Sequence, residues 1–196
     1  NQLVWIHNMR KQLLHALVIL FVFISMPVIQ SAEESHIALR SFYSNLSVSQ
    51  AQSMPNISIR EKNDWGFYGH STISHSYGLK LVNSDNVVID HATGLIWHQP
   101  GSDEKLEWEE AKKWVRELNV RGHFGYNDWR LPTLEEAASL LESDKSNGLY
   151  IDPVFSNYQE WVWTGDEYGS EGAWGVYFGS GLVFWVNFDS GFYVRP

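Results

Sequence analysis

The chain has 196 residues, 44% of them hydrophobic and 15% aromatic, enough for one good core and one or at most two domains. A formal net charge of −9 disfavours DNA, RNA and sulfated polysaccharides as partners, because binding a polyanion needs cationic side chains to displace its counterions. Cysteine is absent, which excludes disulfides, thiolate metal sites, thiol nucleophiles and a lipid-bearing cysteine.

At the N-terminus Met9 reads as a start, with Arg10 and Lys11 as a short basic region and an apolar run from Leu13 to Ile29. That is the pattern of a secretory signal peptide, with Gln30, Ser31 and Ala32 as the cleavage neighbourhood. Gln30 is large for a position three before a cut, so an uncleaved anchor helix is the alternative, and 17 residues sit at the short end of what spans a bilayer. Residues 1–32 are therefore expected to export or anchor the chain, leaving the rest periplasmic, on the cell surface or secreted. Residues 33–85 are Ser-rich with scattered aromatics and poor periodicity, and read as a linker grading into loop or weak hairpin.

The third segment, residues 86–196, is sharper. Val87, Val88 and Ile89 form a β-branched run, Asp90 to Gly94 turn the chain, and Leu95 to Trp97 continue as a second strand. From Glu107 to Leu118, Trp108, Ala111, Val115 and Leu118 recur on one helical face, with Glu109, Glu110, Lys112, Lys113 and Arg116 largely opposite. A second helix starts at Thr133, with Glu136 three residues on completing a capping box. Short aromatic strands follow at residues 161–163, 173–178, 182–187 and 191–194, separated by Gly, Ser and Asp turns, which predicts an antiparallel meander. The layout is α+β, two helices packed on antiparallel sheet.

Three stretches resemble a known family: residues 87–97 (VVIDHATGLIW), the helix start at Trp108 to Ala111, and residues 125–141 (GYNDWRLPTLEEAASLL). They are similar to the bacterial domain at the C-terminus of the Legionella collagen-like adhesin, the Lcl C-terminal domain family. The resemblance implies a C-type-lectin-like fold related to the formylglycine-generating enzymes. It also implies a role in adhesion and ligand binding on exported proteins, without enzyme activity. No Gly-X-Y segment precedes the domain, so a collagen stalk is not implied. Asp90, Thr93, Gly94, Trp97, Asp128, Trp129, Arg130, Leu131, Pro132, Thr133 and Glu136 carry the family pattern and are assigned structural duty. Trp129 and Leu131 are expected to be buried, and Asp128 and Arg130 to fix the turn before the helix.

For ligand contact the aromatic tail is the strongest candidate, through Trp161, Trp163, Trp174 and Trp185 with the neighbouring carboxylates Asp166 and Glu167. Exposed aromatic rings on one strand face would offer a platform to a carbohydrate or a surface protein. No cofactor and no metal ligand set is assigned. Calcium is the one ion whose oxygen chemistry Asp144, Asp152, Asp166, Glu167 and Glu171 could supply, but their spacing is unspecific and solvated loop charge is the plainer account. The three histidines of the domain, His91, His98 and His123, make no His-x-x-x-His pair, so a zinc hydrolase has no support. The expectation is a non-catalytic, exported binding or adhesion module. Its alternatives are a metal-assisted hydrolytic relative of the formylglycine-generating fold and a structural envelope or oligomerisation module.

Overall fold

In a computed structural model that describes residues 36–82 and 85–196, the chain forms, in order, a one-turn helix α1 (Val48–Ala51), β1 (Ile57–Asn63), β2 (Gly66–Ser71), β3 (Tyr77–Val82), β4 (Asp85–Asp90), β5 (Ile96–His98), α2 (Trp108–Val120), α3 (Leu134–Ser139), β6 (Trp161–Tyr168), β7 (Gly172–Tyr177) and β8 (Leu182–Asn187). The expected leader, residues 1–32, lies outside the described residues. Among the described residues no helix is long and apolar enough to cross a membrane.

The last three strands form the predicted meander and are the C-terminal part of a five-stranded antiparallel sheet of order β1-β2-β8-β7-β6. The strand expected at residues 191–194 is reduced to isolated bridges, Phe192 to Leu106 and Tyr193 to Val162. A second, three-stranded antiparallel sheet of order β3-β4-β5 contains the predicted strand, turn and strand. The architecture is α+β and mostly antiparallel.

Residues 36–85, expected to be linker and weak hairpin, belong to the same unit as the rest, His36–Pro196. The β1-β2 hairpin joins the main sheet through β2 and β8, and β3 pairs along its length with β4. The reason lies in the composition of β2, GFYGHS, whose pairing depends on the absence of side chains. A Cβ on Gly66 would stand 1.9 Å from the Val183 carbonyl oxygen, so only glycine lets the two backbones meet. Hydropathy periodicity does not register such a strand, although its Phe67 is fully buried.

Both faces of the main sheet are covered. Trp174, Val176, Val162 and Val183 meet Phe67, Phe178, Leu134, Leu140 and Leu141 in one cluster. On the other side Trp163 and Ala173 meet Trp108, Val115, Leu118, Trp129, Leu131 and Phe192. Helix α2 buries the predicted face, Trp108, Ala111, Val115 and Leu118. Helix α3 is short and buried on every side, including Glu135 and Glu136, so Glu135 is not on the solvated face its charge suggests. Its capping box is present: the Thr133 hydroxyl accepts from the Glu136 N–H at 3.2 Å, and the Glu136 carboxylate accepts from the Thr133 N–H at 2.8 Å. Such a cap stabilises a helix by about 1 kcal/mol, which matters for a helix of only six residues.

Candidate functional site

The tail residues expected to contact ligand are mostly interior. Trp163 and Trp174 have no exposed surface, and their indole N–H groups donate to the carbonyls of Leu106 and Leu46 at 2.7 and 3.0 Å. They cannot form a platform, because the sheet is packed on both faces and each ring has a place in a core. Trp161 is half-buried and stacked on Tyr177 at 3.7 Å between centroids, and Trp185 is half-buried and stacked on Tyr168 at 4.2 Å. Asp166 and Glu167 lie within β6 and not in a loop. Asp166 is fully buried and accepts from the Arg40 guanidinium and from the backbone N–H groups of Ser44 and Leu134. Its position at the centre of that network makes it a structural group.

Seven of the residues given structural duty, Gly94, Trp97, Asp128, Trp129, Arg130, Pro132 and Glu136, line a cleft. Gly94 to Trp97 form one wall, Tyr126 and Asp128 to Arg130 the other, and Pro132, Glu136 and Pro196 complete a space of about 290 Å³. Two of the three segments that carry the family pattern thus contribute to one lining. Trp97 and Trp129 are almost wholly buried, while Asp128 is exposed at the rim. The expectation for Trp129 and Leu131 is met, since both are buried. Arg130 fixes the helix entry by a bidentate pair with Glu136, 2.7 and 2.5 Å, and a bond to the Leu131 carbonyl. Asp128 does not share that duty: its carboxylate takes no hydrogen bond from the described residues.

Six buried side-chain polar atoms among the described residues have no hydrogen-bond partner, and one of them, the Trp97 indole N–H, belongs to a residue that lines the cleft. An unpaired buried donor costs on the order of 1–3 kcal/mol.

Both walls are held from behind. Asp90 receives the Thr93 hydroxyl at 2.5 Å, the Ala92 N–H at 3.0 Å and the His75 ring at 2.8 Å, which together shape the turn leading to Gly94. Burial works to raise the Asp90 carboxyl, but the hydrogen bonds from His75 and Thr93 outweigh it and hold the group below its ordinary range. The second wall rests on His123, whose carbonyl accepts the Trp129 indole N–H at 3.0 Å. The ring of His123 faces that of His98 with 3.0 Å between their Nε2 atoms. Because His98 Nδ1 accepts the Gly101 N–H at 2.8 Å, the His98 proton sits on Nε2 and donates to His123.

Burial, with the nearby charges of His123 and Arg195, pushes His98 down from 6.5 to about 3. A histidine neutral in the fold and protonated when unfolded stabilises fully above the unfolded value and less as pH falls towards the folded one. Its contribution at pH 4 is expected to have dropped by about 3 kcal/mol from its value at neutral pH. Urea unfolding at pH 7 and pH 4 checks this. His98→Asn, which keeps an acceptor for the Gly101 N–H, is expected to flatten the pH dependence, and an unchanged slope would remove His98 as the main acid-sensitive group.

Asp144 and Asp152, two of the loop carboxylates considered for calcium, share an open groove with His75 and Glu142, and burial raises Glu142. Among the described residues no group of three or more His, Asp or Glu is placed to hold a metal ion.

The structure is an α+β domain with a small cleft between a turn and a pre-helix loop. Residues 86–196 match the model of the Lcl C-terminal domain, more than half of the chain, and the chain belongs to that adhesin-associated family. No curated protein and no solved structure matches it. Sequence reasoning missed Tyr126 as a lining residue and Arg40 as the partner of Asp166, since neither stands in a pattern of its own. The shared lining of the two family segments was hidden because they are about 30 residues apart in the chain.

Proposed function

We propose that the chain is an exported, non-catalytic ligand-binding or adhesion module of C-type-lectin-like fold. Residues 1–32 direct or anchor it outside the cytoplasm, and the cleft between residues 94–97 and 126–132 holds a carbohydrate or a segment of a surface protein. The observation that carries this reading is the cleft lined by two of the three family segments, with Tyr126 half-buried and Asp128 exposed in its lining. Membership of an adhesin-associated family supports it. The non-catalytic part rests on the carboxylates of the cleft: Glu136 is engaged by Arg130 and by the Thr133 N–H, which leaves Asp128 without a second free carboxylate for acid/base work. The test is whether a ligand retained from an array of glycans and surface proteins depends on Asp128 or on Trp161 and Trp185.

A further inference from the structure

Resting on the cleft as the binding site, we propose that His123 is a proton-operated latch between its two walls: neutral, it ties them together through His98, and protonated, it releases the turn that carries Tyr126. His98 ends β5 directly after Trp97 of the first wall, and His123 stands three residues before Tyr126 of the second. Their rings stack at 5.1 Å and their Nε2 atoms are 3.0 Å apart, so one hydrogen bond joins wall to wall. Its direction is fixed by the Gly101 N–H, which occupies His98 Nδ1 at 2.8 Å. His98 therefore donates from Nε2 and needs the lone pair of His123 Nε2, and a proton arriving there leaves two N–H groups facing each other.

The pair has no neutral way to absorb that proton. Burial, with the charges of His123 and Arg195, lowers His98 to about 3, so it keeps its Nε2–H while His123 titrates. The other rings against His98 are Trp114 from α2, Phe124 and Trp129, all uncharged. At the end of α2 the nearest charged residues in the chain are Glu117 and Arg121, and the Arg121 Nε donates to the Glu117 carbonyl. His123 is half-buried, which gives solvent protons a route to it.

The turn is built to move once released. Gly122, Phe124 and Gly125 all have left-handed backbone, φ 58°, 57° and 77°. For Phe124 that conformation persists only where its surroundings enforce it. Asn119 pins the Trp129 backbone by accepting from its N–H and donating to its carbonyl, which confines the motion to residues 122–128. The His123 carbonyl moves with the turn and gives up the Trp129 indole N–H, held at 3.0 Å in the closed form. Because the closed form binds the His123 proton more weakly than the open form, it prevails at neutral pH and yields as pH falls.

The experiment is a pH titration of the full chain, labelled with ¹³C and ¹⁵N, by NMR. The Trp129 indole, the Gly101 amide and the Tyr126 amide are expected to titrate with the His123 ring at one midpoint between about pH 5 and 7. In His123→Gln, which keeps an acceptor for His98 and cannot take the proton, these signals are expected to stay flat. At pH 5 the Trp129 indole N–H should exchange with solvent about tenfold faster in the wild type than in His123→Gln, as loss of one hydrogen bond would give. His123→Phe, which offers no acceptor, should exchange faster than the wild type already at pH 7. Signals that do not follow the His123 ring, or that move equally in His123→Gln, overturn the latch, and so does a midpoint shared by amides throughout the fold, which is acid unfolding. If His123→Gln fails to fold, the shared local midpoint in the wild type decides alone. No ligand enters the measurement, so the latch can fail with the binding site intact, and a ligand that depends on Trp161 or Trp185 would remove the binding site with the latch intact.

Discussion

Replacing Asp166 with alanine is expected to lower the unfolding free energy by roughly 3–5 kcal/mol, the usual cost of removing one partner from a buried charge pair. Urea denaturation followed by tryptophan fluorescence measures it. The Asp166 carboxylate accepts from Arg40 Nη1 and Nη2 at 2.8 and 2.6 Å, from the Ser44 N–H at 2.7 Å and from the Leu134 N–H at 2.6 Å. Alanine would strip all four donors at once, and the Arg40 side chain is only 16% exposed and would have poor access to water. The hydrogen bond to Asp166 is the main reason that the Arg40 guanidinium holds its proton more tightly than usual, against the effect of burial. A loss under about 1 kcal/mol would mean that the pair behaves as a surface ion pair, and would contradict its place at the centre of the fold.

A fragment of residues 86–196, the span of the family match, is expected not to fold, whereas 36–196 should unfold cooperatively on heating. The family segment alone lacks β2, which lies between β1 and β8, and lacks β3, which covers β4. It also lacks Leu46, Ala51 and Phe67 from the core. Burying one large apolar side chain contributes about 1.5–3 kcal/mol, and a domain's whole stability is only about 5–15 kcal/mol. Polar ties are lost as well. The Tyr43 hydroxyl donates to the Leu131 carbonyl at 2.8 Å, and its ring lies so close over Gly165 that a Cβ there would come within 2.1 Å of it. Leu46 supplies the acceptor for the buried Trp174 indole. A dispersed NMR spectrum and a sharp thermal transition from 86–196 alone would show that residues 36–85 are dispensable.

What was legible in the sequence was legible through side-chain periodicity. The face of α2 and the meander of β6, β7 and β8 follow from spacing alone, because each element buries one stripe or alternates between two cores. Thr133 and Glu136 announce their helix through local hydrogen bonding, which needs no tertiary context. The hairpin of β1 and β2 was only weakly legible, since Gly66 and Gly69 serve close backbone approach and add nothing to hydropathy.

The candidate site was half legible. Trp163 and Trp174 drew attention as aromatic residues in alternating strands, but alternation does not say whether one face or both are covered. Gly94, Trp97, Asp128 and Arg130 were recognised as pattern residues and given a purely structural role. For Arg130 that role is real, through Glu136, yet it also lines the cleft. What the spacing could not supply is the third dimension: that the turn after β4 and the loop before α3 meet around one cleft.

The most direct test of the central claim, that ligand is held in the cleft and not on the aromatic tail, is a comparison of retained-ligand affinity across three variants of the full chain. The ligand is whichever glycan or surface protein the array retains. Asp128→Ala, which removes an exposed carboxylate of the cleft lining, is expected to weaken binding about tenfold, while Trp161→Ala and Trp185→Ala leave it within about twofold, with the thermal midpoint of each variant as the check on folding. Unchanged affinity in Asp128→Ala, together with loss in Trp161→Ala or Trp185→Ala, would place the ligand on the aromatic tail and contradict the cleft.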